Sequence, residues 1–178
     1  MDWPEESPAF GSVVLREFTE DDVHLAVECG ADPYIPLIGS PPAFPTRDQA
    51  LAWIDRQRGR LAEGAGFSFA IADVVTNEAV GAVGLWLRNL QAGRASAGYS
   101  VSPEQRGRGI ARDALRAVTA FAWTIPEIHR VELYVEPWNV GSARTAESAG
   151  YQREGVLRSY LEIAGTRRDM VVYAALRP

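Results

Sequence analysis

Between Phe67 and Val101 the hydrophobic pattern repeats with a period of two three times in succession, and from Gly109 it switches to the period of a helix. "FSFAIADVV", "AVGAVGLWL" and "RASAGYSV" read as three strands, with "TNE" as the hairpin turn between the first two. Past Gly109, the residues Ile110, Ala111, Ala114, Leu115, Val118 and Phe121 recur on one helical face until Pro126 forbids continuation. Elsewhere the same reading gives a first strand over residues 12–18, then a short helix behind a Thr19–Asp22 capping pattern. A helix opened by Thr46 and Gln49 runs to about Ala62, and "HRVELYVE" is a further strand. Residues 140–149 read as a helix stopped by Gly150, and two closing strands lie in "YQREGVLRSYLEI" and "RRDMVVYAAL". The order β-α-α-β-β-β-α-β-α-β-β is that of an α/β (α+β) chain, a mixed sheet with helices packed on it. The segment 32–45 holds Pro33, Pro36, Pro41, Pro42 and Pro45 and is expected to be an ordered loop without regular structure.

No repeat, low-complexity tract or linker divides the 178 residues, so a single domain over 1–178 is expected, with 1–11 as a loose leading segment. The chain carries 18 Lys+Arg against 23 Asp+Glu, a formal charge of -5, which argues against general attraction to nucleic acid or to an acidic membrane. Cys29 is the only cysteine, so no internal disulfide forms, and His24 and His129 stand apart without metal-ligand spacing; no metal is expected. The opening "MDWPEESPAF" has acids where a secretory signal has positive charge, and no apolar run approaches a membrane span. A cytoplasmic protein, monomer or homodimer, is the expectation.

The stretch "SVSPEQRGRGIARDAL" places Arg106, Gly107, Arg108 and Gly109 between a strand and a helix. A glycine-rich turn into a helix aims several N–H groups into one small space, with the positive end of the helix dipole behind them. Phosphate fits such an elbow; so does the ordinary alternative, a turn ahead of a solvated helix. Arg112 stands where a dinucleotide fingerprint needs its third glycine, and no lysine follows Gly109 as a P-loop requires.

In that context Arg106-x-x-Gly109-x-Ala111 resembles the pyrophosphate signature of the GCN5-related N-acetyltransferases. "GYSVSPEQRGRGIA", "NVGSARTAESAGYQREGVLR" and "GTRRDMVVY" follow in the order found in the branch that acetylates ribosomal-protein N-termini. The likeness runs from Val13 to Leu176. It implies that acetyl-coenzyme A lies in a V-shaped gap between two splayed parallel strands, one ending at Val101 and one spanning Arg130 to Val135. It also implies that backbone groups of Tyr99 and Val101 pair with the pantetheine arm, and that the Tyr99 N–H faces the acetyl oxygen. The amides from Arg106 through Gly107, Arg108, Gly109 and Ile110 to Ala111 would cradle the pyrophosphate, with the two guanidiniums adding charge.

By the same resemblance Asn139 contacts the coenzyme and Ser142, one helical turn on, lies near its sulfur as the general acid. Their ordinary alternatives are a helix N-cap and a surface serine. Two residues depart from the family pattern. Ala146 stands where many members have a tyrosine as the general acid, and Ser96 where relatives in this branch often have a glutamate. The base is therefore unassigned; Glu132 and Tyr134, on one face of their strand, are the titratable groups there. The implied activity is direct acetyl transfer to a primary amine, either a protein N-terminus or a small molecule such as an antibiotic or polyamine. An acyl-coenzyme A-binding module without catalysis is the reading from a different class, motivated by Ala146 and Ser96.

Overall fold

The computed structural model describes all 178 residues. One sheet of eight strands runs in the order β1-β2-β3-β4-β5-β6-β8-β7. The strands are β1 (Ala9–Phe10), β2 (Val13–Arg16), β3 (Gly66–Asp73), β4 (Ala79–Trp86), β5 (Arg94–Val101), β6 (Arg130–Val135), β7 (Gln152–Ile163) and β8 (Thr166–Leu176). The helices are α1 (Val23–Gly30), α2 (Ile35–Ile38), α3 (Arg47–Gly59), α4 (Ile110–Ala122) and α5 (Val140–Ser148). Every neighbouring pair is antiparallel except β5 with β6, which α4 joins as a crossover.

Two apolar layers hold the helices to the sheet. On one face α4 inserts Ala114, Leu115, Val118 and Phe121 among Phe67, Phe69, Leu85 and Val131. The ring of Phe121 meets those of Phe67 and Phe69 edge-on, with centroids 4.8 and 5.5 Å away. On the other face α1 and α3 bring Leu25, Cys29, Trp53 and Ile54 against Phe18 and Ala70. With both faces covered, β3 is buried from Gly66 to Ala72.

The helix starts follow their sequence signals. Thr46 and Gln49 exchange the two bonds of a capping box, Gln49 N–H to Thr46 Oγ1 at 3.3 Å and Thr46 N–H to Gln49 Oε1 at 2.9 Å. Two expectations are corrected. The proline-rich connection holds the one-turn helix α2, because Asp32 accepts from the amides of Tyr34 and Ile35 at 2.8 and 2.9 Å and Pro36 sits in the first turn, where no donor is needed. The leading segment is tied at two points rather than loose: Trp3 packs 4.8 Å from the Phe69 ring, and Ala9–Phe10 pairs with Val14 and Val13.

Candidate active site

The parallel pairing of β5 with β6 spans only Arg94–Ser96 against Arg130–Glu132. Beyond that point each strand keeps its outer partner, β5 with β4 as far as Val101 and β6 with β8 as far as Val135, so the two part from each other. The Ser102 amide donates to Val80 O at 3.0 Å, which fixes the phase of the β4–β5 ladder. Alternation then turns Gly98 and Ser100 toward β4, and aims the N–H and C=O of Ala97, Tyr99 and Val101 into the opening. The cleft so formed has a volume of about 1130 Å³.

The elbow closes one end of this cleft. Gly107 and Gly109 take φ of 78° and 80°, the left-handed region that glycine enters without steric cost. Unlike α3, α4 has no side-chain cap. None of the backbone amides from Gly107 to Arg112 donates to a protein acceptor; the first helical bond is from Asp113 N–H to Gly109 O. A run of uncommitted donors at a helix N-terminus has the chemistry to accept an anion.

The guanidiniums do not sit as the sequence suggests. Arg106 donates to Asp32 at 2.7 Å and to Val101 O at 3.3 Å, tying the elbow to the proline-rich connection. Burial would raise the Asp32 carboxyl, but the Ile35 and Tyr34 amides together with Arg106 outweigh it and hold it low. Arg108 turns to Gln105 and does not line the cleft. Of the two charges expected at the elbow, that of Arg106, which lines the cleft, is therefore shared with Asp32, and that of Arg108 is turned aside. Arg112, paired with Asp113, and Arg144 are the basic side chains beside the elbow.

Asn139 is the N-cap of α5, accepting from Ser142 N–H at 3.0 Å, so its cap role is realised. Asn139, Ser142 and Tyr99 all line the cleft. The Tyr99 hydroxyl is buried and has no hydrogen-bond partner in the protein. Burial raises its pKa, and the Ser142 and Thr145 hydroxyls are near enough to temper that rise, though neither stands in hydrogen-bond geometry with it. Ala146 is fully buried in the core.

The opposite mouth of the cleft lies on the face of the sheet away from α4. There the Trp86 indole covers Gly84 and Gly98; a Cβ on Gly84 would stand 3.1 Å from the ring and one on Gly98 3.8 Å from its nitrogen. Arg60 stacks on the indole 4.1 Å from its centroid, and burial pushes its pKa down to about 10. Tyr34 meets Trp138 edge-on at 4.8 Å and donates to Glu136 at 2.6 Å. Sequence reasoning does not single out Asp32, Arg60, Trp86, Glu136 or Trp138. Among the candidate bases, Glu132 accepts from Arg130 at 2.9 Å and from Tyr134 at 2.7 Å, and it does not line the cleft.

Known proteins of similar sequence and shape bear on this cleft. A family model described as "Acetyltransferase (GNAT) domain" matches residues 12–152. An uncharacterised N-acetyltransferase, p20 of Bacillus licheniformis, is 27% identical over 165 residues, covering 93% of each chain. The [ribosomal protein uS5]-alanine N-acetyltransferase of Escherichia coli is 28% identical over 147 residues, 77% of this chain and 75% of that one. Mycobacterium smegmatis RimJ, solved with a coenzyme A disulfide, superposes with a TM-score of 0.78 at 26% identity, covering 96% of this chain and 84% of the other. Among the helices here, none is long and apolar enough to cross a membrane, and no cluster of His, Cys, Asp and Glu has the makings of a metal site.

Proposed function

The chain belongs to the GNAT acetyltransferase family, and from that premise we propose that it moves the acetyl group of acetyl-coenzyme A directly onto the α-amine of a protein N-terminus. The observation that carries the reading is two separate sets of amides without protein acceptors in one cleft, at the β5 edge beyond Ser96 and from Gly107 to Arg112 at the elbow; the Arg106 amide, expected in the cradle, is instead taken up by Pro103 O at 3.4 Å. Donors at the edge match the extended pantetheine arm, which can add to β5 as an extra strand where β6 has left. Donors from Gly107 to Arg112 match a diphosphate, and glycine at 107 and 109 allows it to approach the main chain.

With the coenzyme so laid, the thioester falls beside Tyr99, whose N–H faces the cleft by the phase of the ladder. The amine lone pair attacks the carbonyl carbon, and negative charge gathers on the carbonyl oxygen. One preorganised N–H at that oxygen contributes roughly 10²–10³ in rate. The C–S bond then breaks and the sulfur takes a proton, for which Ser142 at the start of α5 is the donor. Asn139 positions Ser142 through the 3.0 Å cap.

A protein acceptor is supported by the likeness to the uS5-alanine enzyme over most of both chains. Such an acceptor is met in the cytoplasm, where we place the protein. The test is thiol release from acetyl-coenzyme A with an alanine-initiated peptide, spermidine and an aminoglycoside compared at equal concentration. Turnover highest with the peptide supports the reading; preference for spermidine or the aminoglycoside replaces the acceptor, and release with none of them returns the chain to a binding role.

A further inference from the structure

We propose that Glu136 receives the ammonium of the acceptor and takes its proton, the task that the sequence reading leaves unassigned. The inference deepens the function proposed above and rests on it. Alternation along β6 sends Val131, Leu133 and Val135 into the core under α4, and puts Glu132, Tyr134 and, just past the strand end, Glu136 on the opposite face. That is the face of Trp86 and Gly98, across the sheet from the helix that forms the elbow.

Glu132 and Glu136 are each 5% exposed, yet their partners differ. Glu132 is already paired: Arg130 and Tyr134 donate one bond to each of its oxygens and Arg94 lies 3.9 Å away. The Glu136 carboxylate accepts a single hydrogen bond, from Tyr34 Oη at 2.6 Å. Its only cationic neighbour is Arg168, whose Nε is 3.8 Å away and beyond hydrogen-bond reach. Two carboxylates line the cleft, and the other, Asp32, is already neutralised by Arg106 and two amides. A buried carboxylate with about four acceptor positions and one donor is held at a cost unless a cation arrives. A primary ammonium, a compact charge with three donors, answers that vacancy in chemistry and in place.

Tyr34 orients the carboxylate and does not compete as a base. Burial and the neighbouring Glu136 raise its phenol far above the ordinary range, so it stays a donor. The titratable and charged groups facing Glu136 are Tyr34 from the connection, Arg168 from β8, and Tyr134 with the paired Glu132 along its own strand. In the reaction one ammonium proton passes to a Glu136 oxygen and on to solvent, freeing the nitrogen lone pair. The C–N bond forms, the C–S bond breaks with its electron pair going to sulfur, and the second proton lost by nitrogen matches the one that sulfur gains. The net products are the amide, the coenzyme thiol and one proton.

The experiment measures kcat/KM for the alanine-initiated peptide, or for spermidine if only that amine is turned over, from roughly pH 6 to 9.5 in Glu136→Gln and Glu136→Asp. Coenzyme A affinity is read by calorimetry alongside. We expect Glu136→Gln to lose about a hundredfold at neutral pH. The deficit shrinks as pH passes the pKa of the amine itself, about 8 for an α-amine. Coenzyme affinity stays unchanged. Glu136→Asp, which keeps the charge one methylene back, recovers part of the rate and secures the test should the glutamine variant lose its fold. A glutamine variant within threefold of wild type, or a deficit that is the same at every pH, overturns Glu136 as base and leaves the proposed function standing. A wild-type protein that turns over no amine removes both.

Discussion

Replacing Gly109 with asparagine separates the elbow's role in binding from its role in folding. Gly109 caps α4 with φ 80° and ψ 0°. An ordinary L-residue there costs about 1–2 kcal/mol, while asparagine enters this region routinely and costs less. The new Cβ meets only the Arg112 guanidinium, 3.2 Å away, which is half exposed and paired with Asp113 and need give by only a few tenths of an ångström. The fold is therefore expected to lose under about 1 kcal/mol, or ~2–4 °C for a domain of this size. In the proposed binding mode, however, the side chain stands where the diphosphate would reach the amides of Gly107 to Arg112. Hydrogen bonds to charged groups are worth about 1.5–3 kcal/mol each, so blocking one weakens coenzyme A by roughly tenfold to a hundredfold.

Gly165 is the matched control. It turns between β7 and β8 with φ 74°, and a Cβ added to it would have no neighbour within 4 Å. Gly165→Asn imposes the same backbone demand away from the cleft. Calorimetric titration with coenzyme A, paired with a thermal melt of each variant, reads the two effects apart. The expected result is similar small melting shifts in both variants and a weakened dissociation constant in Gly109→Asn alone. Affinity in Gly109→Asn within threefold of wild type would refute the elbow as the diphosphate cradle.

Three further outcomes are expected. Ser142→Ala lowers kcat by a hundredfold or more, as removal of a general acid does, with the dissociation constant for coenzyme A nearly unchanged; kcat within threefold removes Ser142 from that role. Tyr99→Phe deletes a buried hydroxyl without a partner and raises stability by about 1 kcal/mol, seen as a higher melting temperature of the free protein, whereas a lower one means the hydroxyl is bonded. Arg16→Met strands the buried Asp22, which Arg16 holds at 2.8 and 2.9 Å, at a cost of about 3 kcal/mol in urea unfolding. Burial alone would raise the Asp22 carboxyl, but Arg16 and Thr19 outweigh it and lower it. Its stabilisation is thus complete above the unfolded carboxylate value and fades as pH falls through the lower folded one, so Arg16→Met moves acid unfolding to higher pH.

What the sequence makes readable is local. The strand read at 94–101 is β5 residue for residue, and the Thr46–Gln49 box opens α3, because period and capping are written within a few positions. The elbow is readable for the same reason: its chemistry lies in main-chain amides, and the two glycines that free them are close together in the chain. Partners are another matter. Tyr34 and Glu136 are 102 positions apart, and Asp32 and Arg106 are 74. No local pattern announces that an arginine beside a phosphate-like loop will be claimed by a carboxylate from the proline-rich connection, so Arg106 reads as free charge when it is an ion pair.

Glu136 shows where local arithmetic stops one step short. The alternation that puts Glu132 and Tyr134 on one face continues to residue 136 without any new assumption. It is easily passed over because β6 ends at Val135 and Pro137 follows, which makes Glu136 look like the start of a loop. Yet a strand end beside a widening cleft is where a side chain keeps the direction set by the pleat while losing its strand neighbours. The divergence that frees the amides of β5 therefore also leaves the buried Glu136 carboxylate lining the cleft, and in the proposed mechanism one distortion of the sheet serves both the oxyanion and the ammonium. If that coupling holds, restoring pairing between the two strands beyond Ser96 and Glu132 would abolish both functions together, whereas Glu136→Gln removes only the second.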